Sequence, residues 1–215
     1  MKIVAAKKIL KANDQLASEN RHALAGQGVF CINLVGSPGC GKTTLLESLF
    51  PLLGTDIAPS VIEGDIAGQV DAERVEKLGV PVVQINTDGM CHLDANMIAA
   101  ATEGLELDKV NMLWIENVGN LVCTAGYDLG EHLRLVALST AEGDDKIIKY
   151  PAIFQRSDAL IITKIDLLPH LNFDVERARA DMKRLAPDAQ VLEVSAITGE
   201  GMSALADWLL GNMRT

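Results

Sequence analysis

The octapeptide at 36–43 is the feature that most constrains the fold of this chain. It reads GSPGCGKT and matches the pattern G-x-x-x-x-G-K-[ST] at every fixed position. An apolar run at 29–35 precedes it and a helical pattern at 44–53 follows it, which is the strand–loop–helix context of a phosphate-binding loop. We therefore predict a nucleoside triphosphate site in an α/β fold of the P-loop NTPase type, with a mostly parallel central sheet, helices on both faces and an appended N-terminal helix.

The residue types in this loop suit phosphate binding. Gly39 and Gly41 lack a Cβ, so the backbone can take positive φ and turn its N–H groups inward. The helix that begins near Lys42 directs the positive end of its dipole at the same point, and the Thr43 hydroxyl can ligate Mg²⁺. We expect the nucleotide to contact the loop and the first helical residues, Gly36, Ser37, Pro38, Gly39, Cys40, Gly41, Lys42, Thr43 and Thr44.

The composition limits the class of protein. The chain has 215 residues, is 48 % hydrophobic and has a net charge of −10, which disfavours binding to nucleic acid or to an anionic membrane. No apolar run approaches the roughly 20 residues of a membrane span, and the N-terminus is too polar for a secretory signal. We therefore expect a cytoplasmic protein with neither a nucleic acid nor a membrane as partner. Its four cysteines would be core residues, metal ligands or redox groups rather than disulfides.

Predicted strands and helices alternate along the chain. Strands are expected at 29–35, 58–63, 80–86, 112–116, 132–138, 157–163 and 189–194. Helices are expected at 43–53, 68–79, 95–102, 152–156, 174–185 and 201–210. A further helical pattern at 3–25 precedes the first strand and could pack on the domain or against a partner.

Acidic residues follow two of the predicted strands. Asp65 lies just beyond the strand at 58–63, and Glu116 ends the strand at 112–116. Because the carboxyl ends of parallel strands face the ligand crevice, both are candidates for the Mg²⁺ region, and Asp65 is also a candidate for positioning the attacking water. A solvated turn aspartate is the alternative for Asp65. Gly119, three residues after Glu116, completes a Walker-B-like arrangement in which its amide would sense the terminal phosphate.

Cys91 and His92 form a second chemical feature. They are adjacent and precede the predicted helix at 95–102, and a helix N-terminus favours the thiolate that metals need. Two neighbouring ligands leave a zinc-like or nickel-like ion half coordinated. A further cysteine such as Cys123, water, or the same pair from a second subunit would complete the set. From the residues alone, an incidental Cys-His pair and a structural Cys123 remain open.

The segment TKID at 163–166 indicates which base is bound. The Asp166 carboxylate can accept hydrogen bonds from the ring N–H and the exocyclic amine of guanine, a pair that adenine lacks. The stem of Lys164 can lie over the base plane. Ser195 and Ala196 follow the last predicted strand, where a backbone amide can meet the guanine carbonyl. The alternative is a Lys-Asp pair that serves only as surface charge.

These segments together resemble a known family. GSPGCGKT, EGD, ENVGN, TKID and SA occur in this order, as in P-loop GTPases of the SIMIBI class. The stretches QINTDGMCHLDANM and ENVGNLVC are similar to the metal-binding segment and the Walker-B stretch of the HypB family of hydrogenase maturation GTPases. KYPAIFQRSDALIITKIDLLP is similar to its guanine-recognition region. The likeness covers nearly all of residues 3–213.

The resemblance implies a GTPase that acts as a nickel metallochaperone for a [NiFe]-hydrogenase precursor, and we expect its intrinsic turnover to be slow because neither a glutamine in the ENVGN stretch nor an arginine finger is obviously placed. It implies a homodimer in the GTP state, with hydrogenase accessory proteins and the large-subunit precursor as partners. We divide the chain into an N-terminal helical extension at 1–27 and a P-loop GTPase domain at 28–215 with embedded metal-binding segments. The implied site residues are Lys42 and Asp65 for catalysis, Thr43 and Asp65 for Mg²⁺, Glu116 and Gly119 near the phosphates, Lys164, Asp166, Ser195 and Ala196 for guanine, and Cys91, His92 and Cys123 for Ni²⁺ or Zn²⁺ at the dimer interface.

The sequence departs from the family pattern in places. It lacks the Cys-rich N-terminal nickel motif and the His-rich stretch of some relatives, so nickel storage is not expected. Thr163 stands where many GTPases have Asn, and neither a glutamine nor an arginine is obviously placed beside the phosphates. Three alternatives remain open: a urease-type nickel GTPase, a metal-binding protein with a purely structural nucleotide, and a small-molecule P-loop kinase.

Overall fold

The computed structural model of the chain describes residues 6–66, 68 and 70–214. Within these ranges there are seven strands, and they are β1 (Phe30–Gly36), β2 (Pro59–Asp65), β3 (Val82–Asn86), β4 (Met112–Glu116), β5 (Leu133–Ser139), β6 (Ala159–Thr163) and β7 (Gln190–Glu193). The helices over the same ranges are α1 (Ala6–Gly26), α2 (Lys42–Leu49), α3 (Val70–Glu76), α4 (Ala95–Thr102), α5 (Lys146–Lys149), α6 (Pro151–Phe154), α7 (Val175–Leu185) and α8 (Met202–Met213).

The strands form one sheet in the order β3-β2-β4-β1-β5-β6-β7, and every pairing is parallel. The central strand β1 lies between β4 and β5, so the loop that leaves β1 begins in the middle of the sheet. Because all strands run the same way, the loops that follow them lie along one edge. This edge collects the segments in which the sequence predicts chemistry, and the predicted parallel sheet is confirmed.

Each face of the sheet has its own apolar layer. Alternate residues of β1 point to opposite sides, and Ile32 and Leu34 pack with α2 and α8 on one side. On the other side Cys31 packs with side chains of α1 and α4, and Val35 packs with side chains of α6 and α7. The helices therefore cover both faces, as predicted, and the buried layers hold the strands in register.

Several boundaries differ from the predictions. Helix α2 ends at Leu49 because Pro51 falls in a short 3₁₀ turn, Phe50–Leu52, instead of continuing the helix to 53. Strand β2 continues through Asp65, which is the last residue of the strand rather than a residue beyond it. Helix α3 (Val70–Glu76) ends at Glu76 rather than at the predicted 79, and position 69 of the predicted helix lies outside the described residues.

The N-terminal helix packs on the domain. Helix α1 lies against α4, and its Ala17 and Leu24 side chains are buried. Positions 3–5 of the predicted helix lie outside the described residues. In the part of the chain that the structure describes, no helix is both long and apolar enough to cross a membrane.

Candidate nucleotide and metal sites

Glycines shape the loop that follows β1. Gly39 and Gly41 have φ of 75° and 98°, and Gly41 is the N-cap of α2 in the left-handed region. Gly36 ends β1, where an added Cβ would lie 2.6 Å from the Cys40 sulfur and 2.7 Å from the Ala137 carbonyl oxygen. The loop therefore needs glycine for its backbone angles at two positions and for close packing at a third.

A cavity of about 470 Å³ opens beside this loop, a volume within the range of small-molecule sites. Of the predicted nucleotide-binding residues, it is lined by those at 39–44 together with Glu116, Lys164, Asp166 and Ala196. Five other predicted residues do not line it, namely Gly36, Ser37, Pro38, Gly119 and Ser195. The loop and the TKID segment, more than 100 positions apart in sequence, thus share one cavity.

Two contacts join the TKID segment to the phosphate loop. The Thr163 hydroxyl donates a hydrogen bond to the Cys40 carbonyl oxygen at 2.6 Å, and Lys164 Nζ donates to the Gly39 carbonyl oxygen at 2.7 Å. Lys164 has a φ of 59°, which is uncommon for a residue other than glycine. The threonine that replaces the usual asparagine therefore connects β6 directly to the loop.

Asp166 is oriented by the last loop of the sheet. The Ser195 hydroxyl donates to Asp166 Oδ1 at 2.6 Å, and the same hydroxyl oxygen accepts the backbone N–H of Thr198 at 3.1 Å. Leu167 and the exposed Ile197 line the same cavity as Asp166 and supply apolar surface. A carboxylate held beside apolar walls is suited to reading the polar edge of a flat base.

Glu63 and Glu116 form a buried carboxylate pair beside Thr43. The Thr43 hydroxyl donates to Glu116 Oε1 at 2.8 Å, and Glu63 is the register partner of Glu116 across β2 and β4. Burial and then the Glu116 charge raise the pKa of Glu63 to about 8. Burial also raises the pKa of Glu116 to about 7, although Lys42 and the Thr43 hydrogen bond oppose this shift.

Within the described structure, the second oxygen of each of these two carboxylates is buried without a hydrogen-bond partner. A buried oxygen without a partner destabilises the fold unless it is protonated or binds a cation. Carboxylate oxygens are among the ligands that Mg²⁺ prefers. The pair therefore fits a divalent cation next to Thr43. The sequence did not point to Glu63, because the predicted strand ended at this residue and Asp65, just beyond it, was the expected acid; in the structure the strand continues to Asp65.

Asp65 has a different environment from the one predicted. Its two carboxylate oxygens accept the backbone N–H groups of Ile66 at 2.6 Å and Gly68 at 2.8 Å, so it closes a tight turn. It is not among the residues that line the cavity.

Two residues of α3, Asp71 and Arg74, line the cavity instead. Arg74 donates to the Thr44 hydroxyl at 2.8 Å and to Glu47 Oε1 at 2.9 Å, and the hydrogen bond with Glu47 raises the pKa of its guanidinium. No sequence pattern pointed to Arg74, because the packing of α3 on α2 is what brings it to the cavity.

The predicted metal ligands approach one another. Cys91 Sγ lies 4.0 Å from His92 Nδ1, and a hydrogen bond with Cys91 raises the pKa of the Cys123 thiol. The His92 ring stacks on Tyr127 with ring centroids 4.0 Å apart. Across the described ranges, however, no group of three or more His, Cys, Asp or Glu side chains is arranged to hold a metal ion. The three side chains are thus neighbours without forming a coordination site within this one chain.

Asn120 lies between the phosphate loop and Cys123. Its backbone N–H donates to the Gly36 carbonyl oxygen at 2.9 Å, and its side-chain oxygen accepts the backbone N–H groups of Val122 at 2.7 Å and Cys123 at 2.9 Å. The preceding glycine packs on the same loop, since a Cβ at Gly119 would lie 2.9 Å from the Pro38 Cα. One short segment therefore contacts both candidate sites.

Comparison with known proteins agrees with this arrangement. Residues 30–193 match the family model described as the CobW/HypB/UreG nucleotide-binding domain. The chain is 45 % identical over 204 residues to the probable hydrogenase maturation factor HypB of Methanocaldococcus jannaschii. This match covers 95 % of this chain and 92 % of that relative. The chain belongs to the HypB family. The resemblance identified from its motifs is confirmed.

Two further HypB proteins show the extent of the similarity. The hydrogenase maturation factor HypB of Azotobacter chroococcum mcd 1 is 49 % identical over 201 residues, and the match spans 94 % of this chain but 66 % of that relative's length. The crystal structure of HypB from Helicobacter pylori in complex with nickel superposes with a TM-score of 0.90 at 40 % identity, covering 94 % of this chain and 95 % of that one. The HypB fold therefore extends over nearly the whole chain.

Proposed function

We propose that this HypB-family chain is a GTP-hydrolysing metallochaperone that supports nickel insertion into a [NiFe]-hydrogenase precursor. In this proposal Cys91, His92 and Cys123 bind Ni²⁺ or Zn²⁺. The observation that carries it is the position of Asn120, which contacts the phosphate loop through its backbone and the Cys123 turn through its side chain. The nickel complex of the Helicobacter pylori relative supports the choice of metal.

The nucleotide half of the proposal uses the residues around the cavity. Lys42 and the loop amides would bind the phosphates of GTP, and Asp166 with Lys164 would select guanine. Thr43, Asp65 and Glu116 would hold Mg²⁺, which when bound offsets the charge of the phosphates. Asp65 is the proposed residue for positioning the attacking water. Hydrolysis would be slow, because no glutamine was identified in the ENVGN stretch to orient that water.

The proposed coupling is a switch between the two sites. The terminal phosphate would order the loops after β2 and β4, and the segment at 117–123 would pass that change to Cys123. The GTP state would form a homodimer that brings a second Cys-His pair to the metal, and hydrolysis would release the ion to a hydrogenase accessory protein or the precursor. Because coupling is reciprocal, the metal should also change nucleotide-driven dimerisation. A cytoplasmic location belongs to the same proposal.

The test is a titration of metal-free protein with Ni²⁺ and Zn²⁺ in the presence of GDP or a non-hydrolysable GTP analogue, with the oligomeric state measured alongside. We expect affinity or stoichiometry to change with the nucleotide, and Cys91→Ala to abolish binding at this site. Val122→Ala is the matched control, since Val122 is exposed beside Cys123 and carries no metal ligand.

Metal binding that ignores both the nucleotide and Cys91→Ala would overturn the metallochaperone proposal. A chain that binds metal but does not turn over GTP would be a metal-binding protein with a structural nucleotide. An Asp65→Ala variant that hydrolyses GTP like the wild type, with unchanged Mg²⁺ affinity, would remove the proposed role of Asp65.

A further inference from the structure

Helix α1 presents two buried asparagines to the domain. Asn13 and Asn20 are seven positions apart, which places them two turns apart on one face of the helix, and they are only 8 % and 9 % exposed. Ala17 and Leu24 lie on the same face and are buried. Apolar side chains would have sufficed to attach the helix, whereas buried amides are tolerated only when their hydrogen bonds are satisfied.

Each asparagine bridges the same two segments of the domain. Asn13 accepts the Ala95 backbone N–H at 2.9 Å through its side-chain oxygen and donates to the Asp128 carbonyl oxygen at 2.8 Å. Asn20 donates to the Ala95 carbonyl oxygen at 2.8 Å and to the Leu129 carbonyl oxygen at 3.3 Å. Both backbone groups of Ala95 are therefore held by α1, as are two carbonyls of the loop before β5.

Arg21 and Gly130 also hold the 127–131 loop against α1. Arg21 donates to the Glu131 carbonyl oxygen at 2.9 Å and to Asp128 Oδ1 at 2.7 Å. Gly130 has a φ of 94°, and an added Cβ there would lie 2.7 Å from the Ala17 carbonyl oxygen. The loop backbone thus lies directly against the helix backbone, at a distance that only glycine allows.

The two bridged segments are those that lead away from the proposed metal ligands. Ala95 is the first residue of α4, three positions after His92. The loop at 127–131 follows the turn that carries Cys123, and its Tyr127 ring stacks on His92. A displacement of either segment from α1 would therefore change the separation between His92 and Cys123.

We infer that helix α1 positions the proposed metal ligands, with Asn13 and Asn20 as positioning residues that keep the His92 segment and the 127–131 loop at a set distance. This inference rests on the proposed function, because it takes Cys91, His92 and Cys123 as the ligands. Residues that orient the metal ligands without touching the metal commonly weaken metal affinity by about 10–100-fold when they are removed.

The experiment compares Asn13→Ala, Asn20→Ala and the nearly isosteric Asn13→Asp with the wild type. Asn13→Asp retains the acceptor for Ala95 and loses the donor to Asp128. Gln15→Ala is the matched control, since Gln15 is exposed on the same helix and makes a local hydrogen bond to Glu19. The readouts are Ni²⁺ and Zn²⁺ affinity by competition with a chelator, the thiolate-to-nickel absorption band, GTPase kcat and KM, and thermal unfolding.

We expect the asparagine variants to bind metal roughly 10-fold to 100-fold more weakly and to show a shifted absorption band, at temperatures where thermal unfolding shows them folded. Their GTPase constants and the metal affinity of Gln15→Ala should match the wild type. A purely structural role would lower the unfolding temperature without moving the band.

Two results would overturn the inference. If Cys91→Ala abolishes metal binding while the folded asparagine variants, Asn13→Asp included, bind like the wild type, the positioning role alone is wrong. If metal binding does not depend on Cys91 at all, the proposed metal site is wrong and the role of α1 is wrong with it.

Discussion

Glu63 lies directly across from Glu116 on the neighbouring strand, and over the described residues each keeps one buried carboxylate oxygen without a partner. Two acids in register inside a sheet repel each other unless a proton or a cation lies between them or beside them. Thr43 at the start of α2 already bonds one of them. The pair therefore supplies carboxylate oxygens, which a bound cation would favour in the ionised form, where the proposed Mg²⁺ site needs them.

Replacing Glu63 by Gln should weaken the Mg²⁺ dependence of nucleotide binding. At pH 8.5, above the pKa of about 8, Glu63 is mostly ionised and adds negative charge to the region, and its removal should reduce the gain in GDP affinity from Mg²⁺ by about 10-fold. Calorimetric titration of GDP with and without Mg²⁺ measures this gain. Glu76→Gln, at an exposed position, is the control. An unchanged gain in Glu63→Gln would show that Glu63 does not act on the cation.

Replacing Asn120 by Ala should uncouple the metal site from the nucleotide. The variant loses the acceptor for the Val122 and Cys123 amides. A movement of the Asn120 backbone, which is bonded to Gly36, would then no longer be passed to the turn that carries Cys123. The ratio of Ni²⁺ affinities in the GDP and GTP-analogue states should fall toward one, measured by chelator competition.

The control for this prediction is Asn111→Ala. Asn111 also accepts a backbone N–H, from Ala58 at 2.8 Å, and donates to the Asp56 carbonyl oxygen, but both contacts are remote from the two sites. A similar loss of hydrogen bonds there should leave the affinity ratio intact. The coupling role of Asn120 is wrong if its variant keeps the ratio of the wild type.

Gly119→Ala should be destabilising through packing alone. The new methyl would lie 2.9 Å from the Pro38 Cα, closer than the 3.5–4.0 Å that carbon atoms favour. We expect the free energy of unfolding to fall by about 1–3 kcal/mol and GTP affinity to fall with it. Urea unfolding measures the first effect. Gly126→Ala adds the same methyl where none of the described atoms lies within 4 Å, so equal effects in the two variants would refute the packing argument.

His132 should make stability sensitive to mildly acidic pH. Its Nδ1 accepts the Cys31 backbone N–H at 2.9 Å, its ring stacks on Phe30, and burial, followed by the Arg21 charge, lowers its pKa. Below the unfolded pKa of about 6.5 the unfolded state binds more protons than the folded state, so the free energy of unfolding falls as pH falls.

Urea unfolding between pH 5 and 8 tests this prediction against His132→Asn, which offers an acceptor but does not titrate. The wild type should lose stability relative to the variant below pH 6.5, by at most about 1.4 kcal/mol per pH unit from this one group. Parallel pH profiles for the two proteins would show that His132 is not responsible.

Asp166→Asn should change which base is preferred. The carboxylate that Ser195 orients becomes an amide, which cannot accept two hydrogen bonds from guanine but can donate to the extra carbonyl of xanthine. We expect GTP affinity to fall roughly 100-fold or more and affinity for xanthosine triphosphate to rise, measured by competition binding. Asp188→Asn, at an exposed position, controls for the loss of charge. An unchanged preference for GTP would contradict the proposed role of Asp166.

Local motifs predicted most of the architecture. The loop at 36–43 needs its glycines within a few positions of one another, and the helix at 95–102 and the strand at 112–116 have the predicted bounds. The family followed from segments such as CHLDA and ENVGNLVC, whose chemistry depends on adjacent residues. Such features are readable from sequence because the backbone angles and ligand types that they require are set by near neighbours.

The remaining features depend on which elements are adjacent in space. Glu63 faces Glu116 only because β2 inserts next to β4, and Arg74 reaches the cavity only because α3 packs on α2. Asn13 and Asn20 read as ordinary polar positions on a surface helix until α1 docks against Ala95 and the loop before β5. Sheet order and helix docking arise from burial of apolar faces summed over the whole domain, so no local pattern reveals which polar groups they bring together.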